Sequence, residues 1–156
     1  SMIAHALALL RNRRFGGGAD PERAALLALY HEAPEVITGD LATPIKYFNP
    51  GIRSAYKEIE GIAARKLHSM LPEDLQGDYA HLLLTPESDP EWPRVKAADK
   101  IAAYIKCVEE LRAGNDEFAR AGESILAQIE ALDLPEARAF LSEFLPSFRL
   151  TMDELN

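Results

Sequence analysis

Apolar residues recur at helical spacing through most of this sequence, and strand-type alternation takes hold nowhere. The opening residues place Ile3, Ala6, Leu7 and Leu10 on one stripe with no capping residue in front, so this helix reads as one already in progress. Asp20 as N-cap, Pro21 at the first helical position and Glu22 in the first turn then start a second helix, which runs through Leu26, Leu27 and Tyr30. Asn49 and Pro50 repeat the cap-plus-proline signal ahead of a long amphipathic helix carrying Ile52, Tyr56, Ile59, Ile62, Ala63 and Leu67. Pro72 and Glu73 begin a shorter one that ends near Leu84. The run 95–111 predicts a strongly apolar helix with Ala98, Ile101, Ala102, Ile105 and Val108 facing inward, stopped by Gly114 and Asn115. Residues 116–132 predict another, with Phe118, Ile125, Leu126 and Ile129 on its apolar side. Pro135 opens a last helix with Phe140, Leu141, Phe144 and Leu145, and Pro146 closes it. The expected fold is all-α, with about six helices. TPESDPEWP reads as a surface loop, TGDLATP as an irregular passage, and the tail after Pro146 as a docked turn or frayed end.

Size changes this picture little: 156 residues, 47% of them hydrophobic, suit one domain over 1–156. Charge narrows it. A net charge of −8 argues against DNA or RNA held by bulk electrostatics, because phosphate binding needs a basic face. An anionic small substrate would then need local help, which a bound cation supplies. No apolar run approaches the ~20 residues that span a bilayer, so no membrane role is expected. In SMIAHALALLRNRR the charges follow the apolar part, the reverse of a secretory signal. The single cysteine, Cys107, excludes an internal disulfide and fits a reducing cytoplasm; among Ile105, Val108 and Leu111 it reads as a buried, inert thiol. Gly16, Gly17 and Gly18 make a turn, and the lysine with serine or threonine that would complete a phosphate loop does not follow. Arg11, Arg13 and Arg14 complement a helix end.

Candidate chemistry crowds into residues 30–50, YHEAPEVITGDLATPIKYFNP. His31 and Glu32 fall at the end of the second helix, Pro34 breaks it, and Glu35 and Asp40 follow on an irregular segment. An imidazole and carboxylates at a helix end make either a metal or acid–base site or a solvated terminus. Farther along, Asp99 lies among Ala97, Ala98, Ile101 and Ala102, which suggests partial burial; such a carboxylate needs a metal or an ion pair, with Lys96, Lys100 or an arginine from elsewhere as the partner. Histidine with carboxylates suits a divalent first-row ion such as manganese, cobalt, iron or zinc. His68 and His81 lie on polar helix surfaces and read as solvated.

In order and setting, these residues resemble the HD-domain metal phosphohydrolases. YHEAPEVITGDLATPIKYFNP, IEGIAARKL, VKAADKIAAYIKCVEEL with its trailing AGNDEF, and FLPSF look like the bacterial 5'-deoxynucleotidase branch, and the resemblance runs from AHALALLRNRRFGG to LTMDEL. It implies a compact helical HD-type fold and hydrolysis of deoxynucleoside 5'-monophosphates to deoxynucleoside and phosphate. It implies His31, Glu32 and Asp99 as metal ligands, with Glu32 in the place of the family's aspartate. Glu35 matches a carboxylate that moves protons around the attacking water, and Asp40 one that contacts the substrate sugar. A homodimer is implied as well. The family's first metal histidine and its arginine–tryptophan pair match positions upstream of Ser1, so the domain is expected to lack an N-terminal helix segment here, and His5 matches a non-ligand position. Two rival expectations stand beside this one: an HD-type hydrolase of another phosphate ester, and a helical interaction module with impaired catalysis.

Overall fold

The computed structural model describes residues 1–40, 49–150 and 154, and every regular element among them is helical. In chain order these are α1 (Met2–Arg14), α2 (Pro21–Tyr30), α3 (Glu35–Thr38), α4 (Pro50–Ser69), α5 (Glu73–Leu83), α6 (Trp92–Arg112), α7 (Ala119–Glu130) and α8 (Pro135–Glu143). Short 3-10 turns at Asp116–Phe118 and Leu145–Arg149 precede α7 and follow α8. Residues 41–44 of the irregular passage, and the tail residues 151–153, 155 and 156, lie outside the described set. The chain divides into two compact units, Ser1–Ala28 with Pro90–Asn156, and Leu29–Asp89.

In the first unit α1 packs on α6 and α8, and α6 packs on α7. The apolar stripe of α1 supplies Ala4, Leu7 and Leu10; α6 supplies Ala98, Ile101, Ile105 and Val108; Ile129, Ala137 and Phe140 come from α7 and α8. Leu7 and Ile101 are fully buried, and each such side chain contributes about 1.5–3 kcal/mol of transfer free energy. Between α1 and α2 the chain turns on Gly16, Gly17 and Gly18, all at positive φ (90°, 79° and 87°), where a side chain would be strained. Asn12 closes that turn: its Nδ2 donates to Ala19 O at 2.8 Å and its Oδ1 accepts from Ala19 N at 3.0 Å.

A buried ionic group ties this unit together. Glu136, in the first turn of α8, is 0% exposed, and Arg94 Nε lies 3.3 Å from it. Arg94 Nη1 also reaches Glu91 at 2.9 Å and Pro90 O at 3.0 Å. Glu91 accepts the Asp20 N–H at 2.9 Å, and Arg11 approaches Glu136 at 3.8 Å. Ion pairing offsets part of the cost of burying these charges, although the Glu136 oxygens make no hydrogen bond among the described residues, and through Arg94 and Glu91 the start of α6 joins the helix starts of α2 and α8.

The second unit is held differently. Here α4 packs on α3 and α5, and its N-terminus is capped as expected, Asn49 Oδ1 accepting from Gly51 N at 2.6 Å. Among its described side chains Ala63 and Ala64 are buried, whereas Ile52, Ile59 and Ile62 are 38%, 50% and 53% exposed. Hydrogen bonds connect its helices. His68 Nε2 lies 2.7 Å from Gln76 O, and Gln76 Nε2 donates to Leu71 O at 3.0 Å. The expectation of a solvated His68 is thereby corrected, because the α4–α5 turn folds a backbone carbonyl back onto the ring; His81 is exposed, as expected.

Two further expectations change. The proline-rich loop ends sooner than its composition suggests: α6 begins at Trp92, since Pro93 sits in a first turn that needs no N–H from it. Asp99 is exposed, not partly buried, and so is Ala102. On a helix turning about 100° per residue, Asp99, Ala102, Ala103, Lys106 and Glu109 form one outward stripe, and the alanines along it imitate a buried face.

Candidate active site

The end of α2 is built for a sharp change of direction. Pro34 has no N–H to continue the helix, so residues 31–34 form a turn in which Ala33 N donates to Tyr30 O (3.0 Å) and Glu35 N to Glu32 O (2.9 Å). Tyr30 packs edge-on against Tyr79 of α5, ring centroids 5.9 Å apart at 79°, which steadies the residue just before His31. His31 is half-buried and Glu32 exposed, and His31 Nε2 lies 3.8 Å from Glu32 Oε1. Nitrogen and carboxylate bonds to a first-row ion are about 2.1 Å each, so two donors at this spacing are able to share one. The pair fits a divalent cation.

Beyond the turn, Glu35 opens α3 instead of lying on irregular chain, because Ala33 and Pro34 carbonyls already accept from Val36, Ile37 and Thr38 amides. Glu35 is half-buried and Asp40, past the helix end, is exposed. The two carboxylates thus flank a single turn whose last residue, Gly39, has φ 70° and ψ 167°, a region almost confined to glycine. Gly39 N donates to Glu35 O at 2.8 Å. Gly39 O accepts from Tyr56 Oη of α4 at 2.6 Å and from Thr38 Oγ1 at 2.9 Å. Sequence reading treated Tyr56 only as a member of an amphipathic helix. A phenol on an otherwise half-exposed helix, opposite a glycine turn, is the signal that would have singled it out.

Asp99 stands in the first unit, on the outward stripe of α6. Of the lysines that the sequence offered it, Lys100 donates to Gln128 Oε1 at 2.8 Å, and Lys96 Nζ lies 6.0 Å from the Trp92 ring centroid. Cys107 is buried against α7, where a Cβ added at Gly122 would meet its own at 3.4 Å. Burial raises its thiol pKa above the ordinary value, which fits the inert role expected of it.

The model of the family described as 5'-deoxynucleotidase YfbR-like matches residues 1–148. The 5'-deoxynucleotidase VP0926 of Vibrio parahaemolyticus is 52% identical over all of this chain and 81% of its own length. A 5'-deoxynucleotidase of Vibrio cholerae is 50% identical over the same shares, and 5'-deoxynucleotidase YfbR of Escherichia coli is 51% identical over all of this chain and 79% of its own. The motifs that carried the resemblance therefore sit in a match that spans the sequence end to end, and the chain belongs to the YfbR-like 5'-deoxynucleotidase family, a branch of the HD-domain phosphohydrolases.

Proposed function

We propose that this protein hydrolyses deoxynucleoside 5'-monophosphates to deoxynucleoside and inorganic phosphate, using a divalent first-row cation held by His31, Glu32 and Asp99. Kinship over the whole chain with proteins named 5'-deoxynucleotidases carries the reaction class. The His31 and Glu32 donor atoms, 3.8 Å apart, support the metal. Asp99 enters this reading through the family pattern, as do a homodimer and a cytoplasmic setting.

When bound, the cation lowers the pKa of water and offsets phosphate charge. His31 contributes a nitrogen donor, and Glu32 and Asp99 contribute oxygen donors, the mixture that manganese, cobalt, iron and zinc accept. Glu32 is one methylene longer than the aspartate it replaces, and its carboxylate would still supply an oxygen donor to such an ion. Glu35 takes a proton from the attacking water as its oxygen bonds to phosphorus. The same proton passes to the 5'-oxygen as the phosphorus–oxygen ester bond breaks. Asp40 accepts a hydrogen bond from a sugar hydroxyl and holds the nucleoside end of the substrate.

Phosphate release by the full-length protein from a panel of deoxy- and ribonucleotides, with manganese or cobalt present, tests the proposal. Deoxynucleoside monophosphates should be cleaved, and Glu35→Gln should keep the cation while losing turnover by roughly 10²–10⁴-fold. Release from a different ester alone would favour the other HD-type hydrolase. Silence across the panel would favour the interaction module.

A further inference from the structure

The peptides on both sides of Gly39 are held, the one before it through its N–H and the one after it through its C=O, and Asp40 is the next residue. The Gly39 N–H is held by Glu35 O at 2.8 Å, which ties it to the start of α3. Its carbonyl is held by Thr38 Oγ1 at 2.9 Å and by Tyr56 Oη at 2.6 Å. With both flanking peptide planes pinned, φ and ψ of Gly39 have little freedom, and ψ sets the direction in which the Asp40 backbone leaves the turn. Thr38 is local to that turn and moves with it. Tyr56 belongs to the long helix α4, and it alone of these three partners anchors the turn to a separate element. A rigid support for an exposed carboxylate is what a selective hydrogen bond to a hydroxyl requires.

We propose that Tyr56 is a positioning residue for sugar recognition: through the Gly39 carbonyl its phenol aims Asp40 at the nucleoside end of the substrate. This rests on the reading of Asp40 as the residue that contacts the sugar. Loss of the phenol hydroxyl leaves the ring on α4 and removes its hydrogen bond to Gly39 O (2.6 Å) and its longer contact with Thr38 Oγ1 (3.4 Å), both on the α3 turn, so the fold survives the test substitution Tyr56→Phe.

The measurement is steady-state kinetics on the full-length protein as wild type, Tyr56→Phe, Asp40→Ala and the double variant, with cation affinity and deoxynucleoside binding followed by calorimetry. Tyr56→Phe should raise KM roughly tenfold, with kcat changed less than about threefold and cation affinity unaltered. In the Asp40→Ala background the same substitution should change KM little, because its route of action is already gone. An equal rise in both backgrounds would overturn the proposal, as would a fall in cation affinity. Should the wild type release no phosphate from any deoxynucleotide, the assignment of the reaction has failed, and binding then judges Tyr56 alone. Deoxynucleoside affinity that drops on Tyr56→Phe only where Asp40 is intact upholds it; affinity that is unmoved, or absent from the wild type, overturns it.

Discussion

The two units of this chain are stabilised by different physics. In the unit formed by Ser1–Ala28 and Pro90–Asn156, α1, α6, α7 and α8 close over a continuous apolar core, with Leu7, Ile101 and Ile129 essentially removed from water. In Leu29–Asp89, Pro34, Ala63 and Ala64 are the buried apolar side chains among those described, and Ile59, Ile62, Met70 and Val36 stay half or more exposed. What that second unit has is specific polar clamps: Tyr56 on Gly39, His68 on Gln76, Lys57 on Glu87 at 2.9 Å. The lesson is a division of labour. The first unit buries the larger apolar core, while the second holds His31, Glu32, Glu35 and Asp40 within one short stretch of chain around the end of α2 and α3.

Glu136→Ala should strain this comparison most. It leaves Arg94 buried beside Glu91 without its second carboxylate, and removal of one partner from a buried ion pair costs about 3–5 kcal/mol. Urea unfolding reads the loss; a change under about 1 kcal/mol would mean the group is not desolvated as its burial indicates. Next comes Leu7→Ala, expected to cost about 2–5 kcal/mol by opening a cavity in the core. Its counterpart Ile59→Ser, on an exposed stretch of α4, should stay within about 0.5 kcal/mol. Equal losses at the two sites would erase the contrast between the units.

Gly39→Ala is expected to cost less, about 1–3 kcal/mol, and for one reason only. A Cβ there meets nothing within 4 Å, so the penalty is the backbone at φ 70° and ψ 167°, not a clash. The same variant should raise KM for substrate, linking the strain to Asp40.

Smallest is the effect of pH on Cys107. Burial raises its folded-state pKa, so the stability it contributes is full below the ordinary thiol value near 9.0 and is lost as pH climbs through the raised one. Its alkylation by iodoacetamide at pH 8 should be slower in the native protein than in urea. Equal rates would place the thiol on the surface.

Much of this organisation was legible in the sequence because it is local. Asp20, Asn49–Pro50 and Pro135 start helices where capping chemistry says they should: Asp20 Oδ1 accepts from Arg23 N at 3.0 Å, and α8 begins at Pro135. His31 falls just past α2, and Pro34 ends the helix as its missing N–H requires. The Arg94–Glu136 pair was not legible, since its members lie on different helices and charged residues give no periodic sign of burial. Asp99 was misread for the opposite reason, its alanine neighbours making an outward stripe look apolar. Tyr56 stayed hidden because its partner is a backbone carbonyl, which every residue possesses.

The proposed function depends on His31 and Asp99 serving as ligands of one cation. Manganese titration by calorimetry, on the full-length protein and on His31→Ala and Asp99→Ala, tests it most directly. Each variant should lose cation affinity by roughly a hundredfold or more while keeping its melting temperature without metal. Wild-type affinity in Asp99→Ala would contradict the assignment.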